Sequence, residues 1–289
     1  MTSAAMDLQG LVEQEQLPVL PTILAKMLAL KPGADDYFDQ LVELAESEPM
    51  FALRVLRLAG SARYARGPSV RTIRRAVALL GSSATTELLM GFAVAQVFIP
   101  RTDCEKRLWL HALQVAIGAR IIAGAFPVKV DAGEAYLAGL LHDLGRFAML
   151  RASPDKLEAM GEVAWGCDER SLEAETRDFG VDHSELGALL AESWELPERL
   201  QQVLRLHHEK DLGRLPRDLA ALVTVIQQAD QLSVGLIAAG DDAPDRVRKA
   251  ADAGVIRARS PSLRAQQLKL LVPRIERDTA EQASVILVG

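Results

Sequence analysis

The residues best suited to chemistry are His142 and Asp143, in the middle of an apolar stretch that reads AYLAGLLHDLGRFAML over 135–150. Burying a carboxylate without a partner costs roughly several kcal/mol, so Asp143 requires a cation. Arg146 is the only cationic side chain within the stretch. A divalent metal is the usual partner when a histidine is adjacent, and nitrogen and oxygen donors suit Fe, Mn, Zn or Mg.

The remaining histidines strengthen this hypothesis. The chain has five, all between residues 111 and 208, and each falls within or at the end of a predicted helix. With two aspartates they form a candidate metal-ligand set: His111, His142, Asp143, His183, His207, His208 and Asp230. Helices packed as a bundle can bring such side chains together in its interior. The set exceeds what one tetrahedral zinc requires and suits one or two octahedral ions, with Asp143 as a bridge.

Each member of the set also has a simpler interpretation. A single histidine in a helix is more often structural or solvated than a metal ligand. His207 and His208 would be favoured at a helix C-terminus by the helix dipole, and Asp230 could be a solvated residue among glutamines. The combination of all the histidines with two aspartates favours the metal site. Cys104 and Cys167 lack the CxxC spacing of a thiolate site, and no phosphate-binding loop is present.

The elements that must position these residues are predicted to be helices. No segment shows sustained alternation between apolar and polar residues, and aromatic residues make up only 4% of the chain, which favours aliphatic helix packing. Five helices are expected before Pro100, at 17–33, 35–49, 50–65, 69–81 and 82–98. The candidate ligands are expected on later helices, at 104–126, 183–196, 197–209 and 218–236, and on a helix that starts at 131–134 and carries His142 and Asp143. A polar helix is predicted at 157–180, and Pro261 and Pro273 are expected to divide the tail into short helices. The predicted fold class is all-α, a two-part helical bundle.

Composition limits the function classes. The 289-residue chain carries a formal net charge of −6 and has a pI near 5.5, which argues against strong nucleic-acid binding. Two cysteines do not form a disulfide framework, so a cytoplasmic setting is expected. The N-terminus lacks the features of a signal peptide. The apolar stretch at 88–100 falls short of the roughly 20 residues of a membrane span, so we expect a buried helix and no membrane association.

The order of these motifs resembles the HD superfamily of metal-dependent phosphohydrolases. The matching segments are LLHDLGR at 140–146, FGVDHSELGALLAESWELP at 179–197 and LRLHHE at 204–209. His111 precedes them and Asp230 follows them. Within the superfamily the chain is most similar to the HDOD (HD-related output domain) group. The N-terminal segments that carry this likeness are LPVLPTILAKMLAL at 17–30, LAESEPMFALRVLRLAGSARYA at 44–65 and VRTIRRAVALLG at 70–81.

The resemblance implies an N-terminal HDOD half at 1–100, an HD-like core with the histidine and aspartate cluster at 101–238, and a helical tail at 239–289. It implies a bacterial signal-transduction module that works with response-regulator or cyclic-dinucleotide proteins. Many HDOD proteins have lost metal ligands and act as non-catalytic scaffolds. The related HD-GYP enzymes hydrolyse cyclic di-GMP at a metal centre.

The sequence departs from the HD-GYP pattern at three positions. Arg146 stands where those enzymes have lysine, Leu215 stands where tyrosine precedes the proline, and Arg107 replaces an acidic ligand before His111. We therefore expect a regulatory protein with an HD-type metal site. The alternative is an active phosphohydrolase on a nucleotide, a cyclic dinucleotide or another phosphate-containing small molecule. In that case Asp143 would bridge metals and Arg146 would stabilise phosphate charge.

Overall fold

The computed structural model describes residues 20–61, 63–64, 70–161, 169–238 and 265–287. Its helices confirm the predicted all-α fold, and no strand occurs in the described ranges. The helices are α1 (Thr22–Ala29), α2 (Tyr37–Glu46), α3 (Pro49–Ala59), α4 (Ile73–Leu80), α5 (Ser82–Val97), α6 (Asp103–Ala123), α7 (Ala132–Leu141), α8 (Leu144–Ala152), α9 (Pro154–Ala159), α10 (Glu169–Phe179), α11 (His183–Ser193), α12 (Glu198–Leu206), α13 (Arg217–Ala238) and α14 (Ala265–Ile286).

The chain divides into two compact units, which are described separately. One contains Arg101–Arg277, and the other contains Val19–Pro100 together with Asp278–Gly289. The structure thus groups the last residues of the chain with 19–100, whereas the sequence placed them in a tail. The three-part division at residues 100 and 238 stays a prediction.

The helix α6 is the centre of the Arg101–Arg277 unit and packs against both α7 and α13. It begins with a capping box, because the Thr102 hydroxyl accepts from the backbone N–H of Glu105 and the Glu105 carboxylate accepts from that of Thr102. Gly139 on α7 lies so close to α6 that a Cβ atom there would be 2.8 Å from Cα of Ala116. The close crossing of these helices sets the distance between their ligand-bearing side chains.

The predicted continuous helix through His142 and Asp143 is wrong. Helix α7 ends at Leu141 and α8 begins at Leu144, while Asp143 has φ −96° and ψ 22°. This lies in the sparsely occupied bridge region, where many active-site residues are found. The physical reason for the break is tertiary packing. Helix α8 packs against α11, and this contact competes with continuation of α7.

The predicted boundaries of two other helices are also wrong. The predicted helix at 50–65 ends at Ala59, with Gly60 as its C-cap. The predicted helix at 157–180 is two helices, α9 and α10, and α9 ends before Gly161, whose φ of 55° suits glycine. Residues 162–168 lie outside the described ranges.

The predicted break at Pro273 is wrong as well, because this proline lies inside α14. An interior proline costs about 3 kcal/mol. The neighbouring Val272 and Ile275 are each 1% exposed, and burying such side chains stabilises by roughly 1.5–3 kcal/mol each. The burial of Val272 and Ile275 therefore offsets the free-energy cost of a proline inside the helix. Pro261 and residues 1–19 lie outside the described ranges.

In the Val19–Pro100 unit, α3 packs against α4, and α5 contacts α1 to α4. Residues 87–95 of α5 are buried, so the apolar stretch forms a buried helix as predicted, ending at Val97. Phe51 and Phe92 meet edge to face at 4.9 Å.

Within the described ranges, no single helix has the length and apolarity to cross a membrane. Helices α4 and α5, bent by 109° at their junction, satisfy that length and composition test only as a pair.

Candidate metal centre

The first group of predicted ligands comes from three helical segments of the Arg101–Arg277 unit. His111 lies on α6, His142 at the end of α7, and Asp230 on α13. Nε2 of His111 is 3.2 Å from Nε2 of His142 and 3.3 Å from Oδ1 of Asp230. All three residues are buried, and one ligand atom from each can lie within 4.8 Å of the others. We refer to this group as the His111 half.

The second group is made of histidines alone. His183 is the first residue of α11, and His207 and His208 follow the end of α12. Nε2 of His183 is 3.2 Å from Nε2 of His207 and 2.9 Å from Nε2 of His208. His183 and His207 are buried, and His208 is partly exposed. We refer to this group as the His183 half.

Asp143 lies between the two halves. Its Oδ2 atom is 3.4 Å from Nε2 of His111 and 3.5 Å from Nε2 of His142. Its Oδ1 atom is 3.3 Å from Nε2 of His183. The structure therefore brings all seven predicted ligands into one cluster. Oδ1 of Asp143 is buried and makes no hydrogen bond.

The proton positions on three of the imidazoles follow from their outer partners. Nδ1 of His142 is 2.8 Å from the carbonyl oxygen of Gly139, and Nδ1 of His207 is 2.6 Å from that of Leu204. Nδ1 of His183 is 2.5 Å from a carboxylate oxygen of Glu175. These oxygens only accept hydrogen bonds, so each Nδ1 carries the N–H and each Nε2 presents a lone pair.

The lone pairs show that the donor set fits a metal. Nε2 of His183 and Nε2 of His207 face each other with no proton between them, and the carboxylate of Asp143 adds negative charge beside His183. A cation at this point would replace repulsion by coordination. Histidines that ligate metals almost always donate their other N–H to a carboxylate or carbonyl in this way.

The electrostatics favour the neutral form of His142, His207 and His208 and the ionised form of Asp143. Burial lowers the pKa of His142, lowers that of His208 well below its usual value, and lowers the pKa of His207 to about 3. Burial alone would raise the pKa of Asp143, but Arg146 and the nearby histidines outweigh it and hold that pKa well below its usual value. Neutral imidazole and ionised carboxylate are the forms that bind metal ions.

Arg146 does not point into an open space but is hydrogen-bonded to three side chains. Its Nη1 donates to Oδ2 of Asp143 at 3.0 Å, its Nε donates to Oε1 of Glu175 at 2.9 Å, and its Nη2 donates to the Ser171 hydroxyl at 3.0 Å. Arg146 is 3% exposed. The two carboxylates raise its pKa against the effect of burial, so it is a fixed buried cation beside the cluster.

Sequence reasoning missed Glu175. This residue is fully buried, binds Arg146, and accepts hydrogen bonds from both Nδ1 and the backbone N–H of His183. Burial opposes its ionisation, yet His183 and Arg146 lower its pKa to about 2. One signal could have found it. Glu175 lies between Ala174 and Phe179, which mark the buried face of an otherwise polar helix.

Comparison with known proteins gives one family. Residues 17–210, most of the chain, match the HDOD domain family. An uncharacterised protein of Treponema pallidum is 27% identical over 219 residues, which are 75% of this chain and 42% of that protein. The chain thus spans less than half the length of this relative.

Solved structures share the fold. An HDOD domain protein of Geobacter sulfurreducens has a TM-score of 0.69 and 23% identity, with 97% of each chain covered. A Shewanella amazonensis protein proposed to be a phosphohydrolase has a TM-score of 0.71 and 24% identity, with 98% of each chain covered. A Marinobacter aquaeolei protein proposed to act in signal transduction has a TM-score of 0.70 and 22% identity, covering 94% of this chain and 61% of that one.

Proposed function

The chain belongs to the HDOD family, and we propose that it is a regulatory protein of bacterial signal transduction whose histidine and aspartate cluster binds a divalent metal ion. In this role the ion serves structure or sensing, and the helical units bind a partner protein. The partners we propose are proteins of response-regulator or cyclic-dinucleotide pathways. The Marinobacter protein of the same fold is itself proposed to act in signal transduction.

The burial of the cluster is the observation that supports this proposal most strongly. Six of the seven predicted ligands are at most 3% exposed, and only His208 is partly exposed. A catalytic metal site keeps a position open for water or substrate, whereas a structural site is closed by protein ligands. Arg146, the candidate phosphate-binding cation, is bound to Asp143, Glu175 and Ser171. A substrate phosphate would have to displace these partners.

The residues proposed to hold the metal are the seven predicted ones: His111, His142, Asp143, His183, His207, His208 and Asp230. A bound divalent ion, which we expect to be Fe, Mn, Zn or Mg, would supply positive charge to buried carboxylates and act as a Lewis acid. Glu175 orients His183 by accepting a hydrogen bond from its Nδ1–H, and the carbonyl of Leu204 does the same for His207. These contacts hold the donor atoms in place before any ion binds.

One observation favours a second candidate function, a metal-dependent phosphohydrolase. The two oxygens of Asp143 face different halves of the cluster, as a carboxylate that bridges two ions would. Two-ion sites clamp phosphate groups and activate the attacking oxygen. In this alternative Asp143 would help to hold both ions, and Arg146 would stabilise phosphate charge. The Shewanella protein of the same fold is itself proposed to be a phosphohydrolase.

The two candidates are separated by the Asp143→Asn variant. The metal-loaded wild type, Asp143→Asn and a control at an exposed position, Asp155→Asn, are assayed with bis(4-nitrophenyl) phosphate and cyclic di-GMP. We expect no turnover that depends on Asp143. We also expect Asp143→Asn to co-purify with less of the response-regulator or cyclic-dinucleotide partner than Asp155→Asn does. Turnover by the wild type and Asp155→Asn that is lost in Asp143→Asn would establish the enzyme instead.

A further inference from the structure

We propose that helix α3 binds an acidic segment of the partner protein, one that presents a carboxylate beside apolar side chains. The surface consists of Met50, Leu53, Arg54 and Arg57, and we call it the Arg54 surface. It rests on the regulatory function proposed above, in which the helical units bind a partner, and it specifies the place and the chemistry of that contact.

Arg54 is a buried cation without an anion. The residue is 5% exposed, and its Nε and Nη1 atoms are buried and have no hydrogen-bond partner. Among the described residues no carboxylate forms an ion pair with it. Burial, with a contribution from Arg57, lowers the pKa of Arg54, but a guanidinium stays protonated in proteins. A buried charge without a partner is unfavourable, so an anion at this position would stabilise the chain.

The guanidinium of Arg54 is already held in place. Its central carbon lies 4.7 Å from the centre of the Phe92 ring on α5, and Phe92 in turn meets Phe51 edge to face. A cation over an aromatic ring gains some electrostatic energy, yet the ring satisfies none of the buried N–H groups. Because the side chain is fixed, binding a carboxylate costs less conformational entropy.

Arg57 is a second cation without an anion. It lies three positions after Arg54, is exposed, and forms no ion pair among the described residues. Side chains three or four positions apart are neighbours on a helix. For the two arginines these neighbours, apart from each other, are Met50, Phe51, Leu53, Leu58, Gly60 and Ser61. None is acidic, so α3 places two like charges side by side and supplies no carboxylate to them.

Apolar side chains border the arginines. Met50 is 46% exposed and Leu53 is 56% exposed. Met50 lies four positions before Arg54, and Leu53 lies four positions before Arg57, so the four side chains form one stripe on α3. Methionine and arginine are enriched where proteins meet, and methionine adapts to the shape of a partner.

The stripe favours a protein segment over a small anion. A free phosphate would satisfy the arginines but would leave Met50 and Leu53 in water. A segment with Asp or Glu next to aliphatic residues would pair with the guanidinium groups and cover both apolar side chains. Arginine binds a carboxylate through two parallel hydrogen bonds, which fixes the orientation of the partner.

The first test measures the free chain. Arg54→Met removes the charge and keeps an unbranched side chain over Phe92. We expect the Tm of the full chain to rise by about 2–4 °C, because the unpaired charge no longer has to be buried. Lys26→Met, which removes an exposed charge from α1, is the control and should leave the Tm unchanged. A lower Tm of Arg54→Met would make Arg54 a structural residue and overturn the Arg54 surface.

The second test identifies what binds. The photo-crosslinking amino acid p-benzoylphenylalanine is placed at Leu53, or at the exposed Ala25 of α1 as a control, in the full chain in its native cells. We expect Leu53 alone to crosslink to a segment of another protein that carries Asp or Glu beside aliphatic residues. The yield should fall by about 10-fold on adding Arg54→Met, as expected at an interface hot spot. A crosslink to a second copy of this chain, to a segment without acidic residues, or to nothing would overturn the Arg54 surface.

Co-purification separates a failure of the Arg54 surface from a failure of the proposed function. The partner recovered with the wild type is compared with that recovered with Arg54→Met, Lys26→Met and Asp143→Asn. We expect Arg54→Met to lose the partner and Lys26→Met to keep it. A partner kept by Arg54→Met and lost by Asp143→Asn would overturn the Arg54 surface and leave the regulatory function. No partner with any of the four proteins would overturn both.

Discussion

Glu175 links the two charged parts of the centre through its two carboxylate oxygens. Oε1 accepts from Nε of Arg146, and Oε2 accepts from both the ring and the backbone N–H of His183. A carboxylate behind a ligating histidine fixes the ring and raises its basicity toward a metal. Glu175 therefore holds the ring of His183 in place, and it fixes Arg146 at the same time.

The variant Glu175→Gln tests this positioning role. Glutamine keeps the size of the side chain but removes the charge, so His183 becomes a weaker ligand. We expect metal affinity to fall by about 10- to 100-fold, measured by competition with a chromogenic chelator. Glu173→Gln, on the exposed face of the same helix, is the control and should bind as the wild type does. Equal affinity in both variants would show that Glu175 does not act through His183.

Single residues also show what the sequence could predict and what it could not. The seven candidate ligands could be selected because all five histidines of the chain and two aspartates fall on successive predicted helices. Glu175 and Ser171 were harder to select, because both lie on a helix that is polar overall and no spacing joins them to the ligand motifs; only the apolar face marked by Ala174 and Phe179 points to Glu175. Their role depends on contact with Arg146, which only the fold creates.

At the scale of helices, two glycines bring α8 and α11 close enough for Asp143 to reach His183. A Cβ atom on Gly145 would lie 2.1 Å from the carbonyl oxygen of His183, and one on Gly187 would lie 3.0 Å from the backbone nitrogen of Gly145. The obstructing atoms belong to the backbone, so they cannot move aside as a side chain can. The sequence predicted helices here, but not their separation.

The variant Gly145→Ala should separate α8 from α11. Overpacking typically costs 1–3 kcal/mol, and we expect about 3 kcal/mol because the clash is with backbone. Urea unfolding measures the loss of stability, and chelator competition should show weaker metal binding. In the control Gly133→Ala, the added Cβ would meet only Oδ1 of Asp131 at 3.3 Å. Equal stability of Gly145→Ala and the wild type would contradict the close contact of the two helices.

The errors in helix boundaries share a physical cause. Helix α7 stops at Leu141 although its sequence continues in a helical pattern, and α14 continues through Pro273 although proline opposes it. In both cases contacts with distant residues outweigh local preference, since most helix stability in proteins comes from packing. A sequence gives local preferences directly, but it gives the packing only as a periodic apolar face.

At the scale of the whole molecule, every candidate ligand belongs to the Arg101–Arg277 unit. The ligands come from α6, α11, α13, the turn between α7 and α8, and the residues after α12. A bound ion would therefore connect helices that lie far apart in sequence. The sequence predicted the all-α fold, which the structure confirms, and a set of ligands that stays a prediction. The nearly complete burial of six of the seven candidate ligands is the observation behind our proposal of regulation rather than catalysis.

The most direct test of the metal centre is elemental analysis of the chain purified without chelator or polyhistidine tag, beside Asp143→Asn. Asp143 contacts both halves, so the variant should weaken binding in either. We predict bound Fe, Mn or Zn in the wild type and its loss in Asp143→Asn. Adding the same metal to metal-free wild type should stabilise the fold by about 2.7 kcal/mol at 100 times the Kd. A wild type with no bound metal, and with no change in Tm on adding any of these ions, would contradict the account.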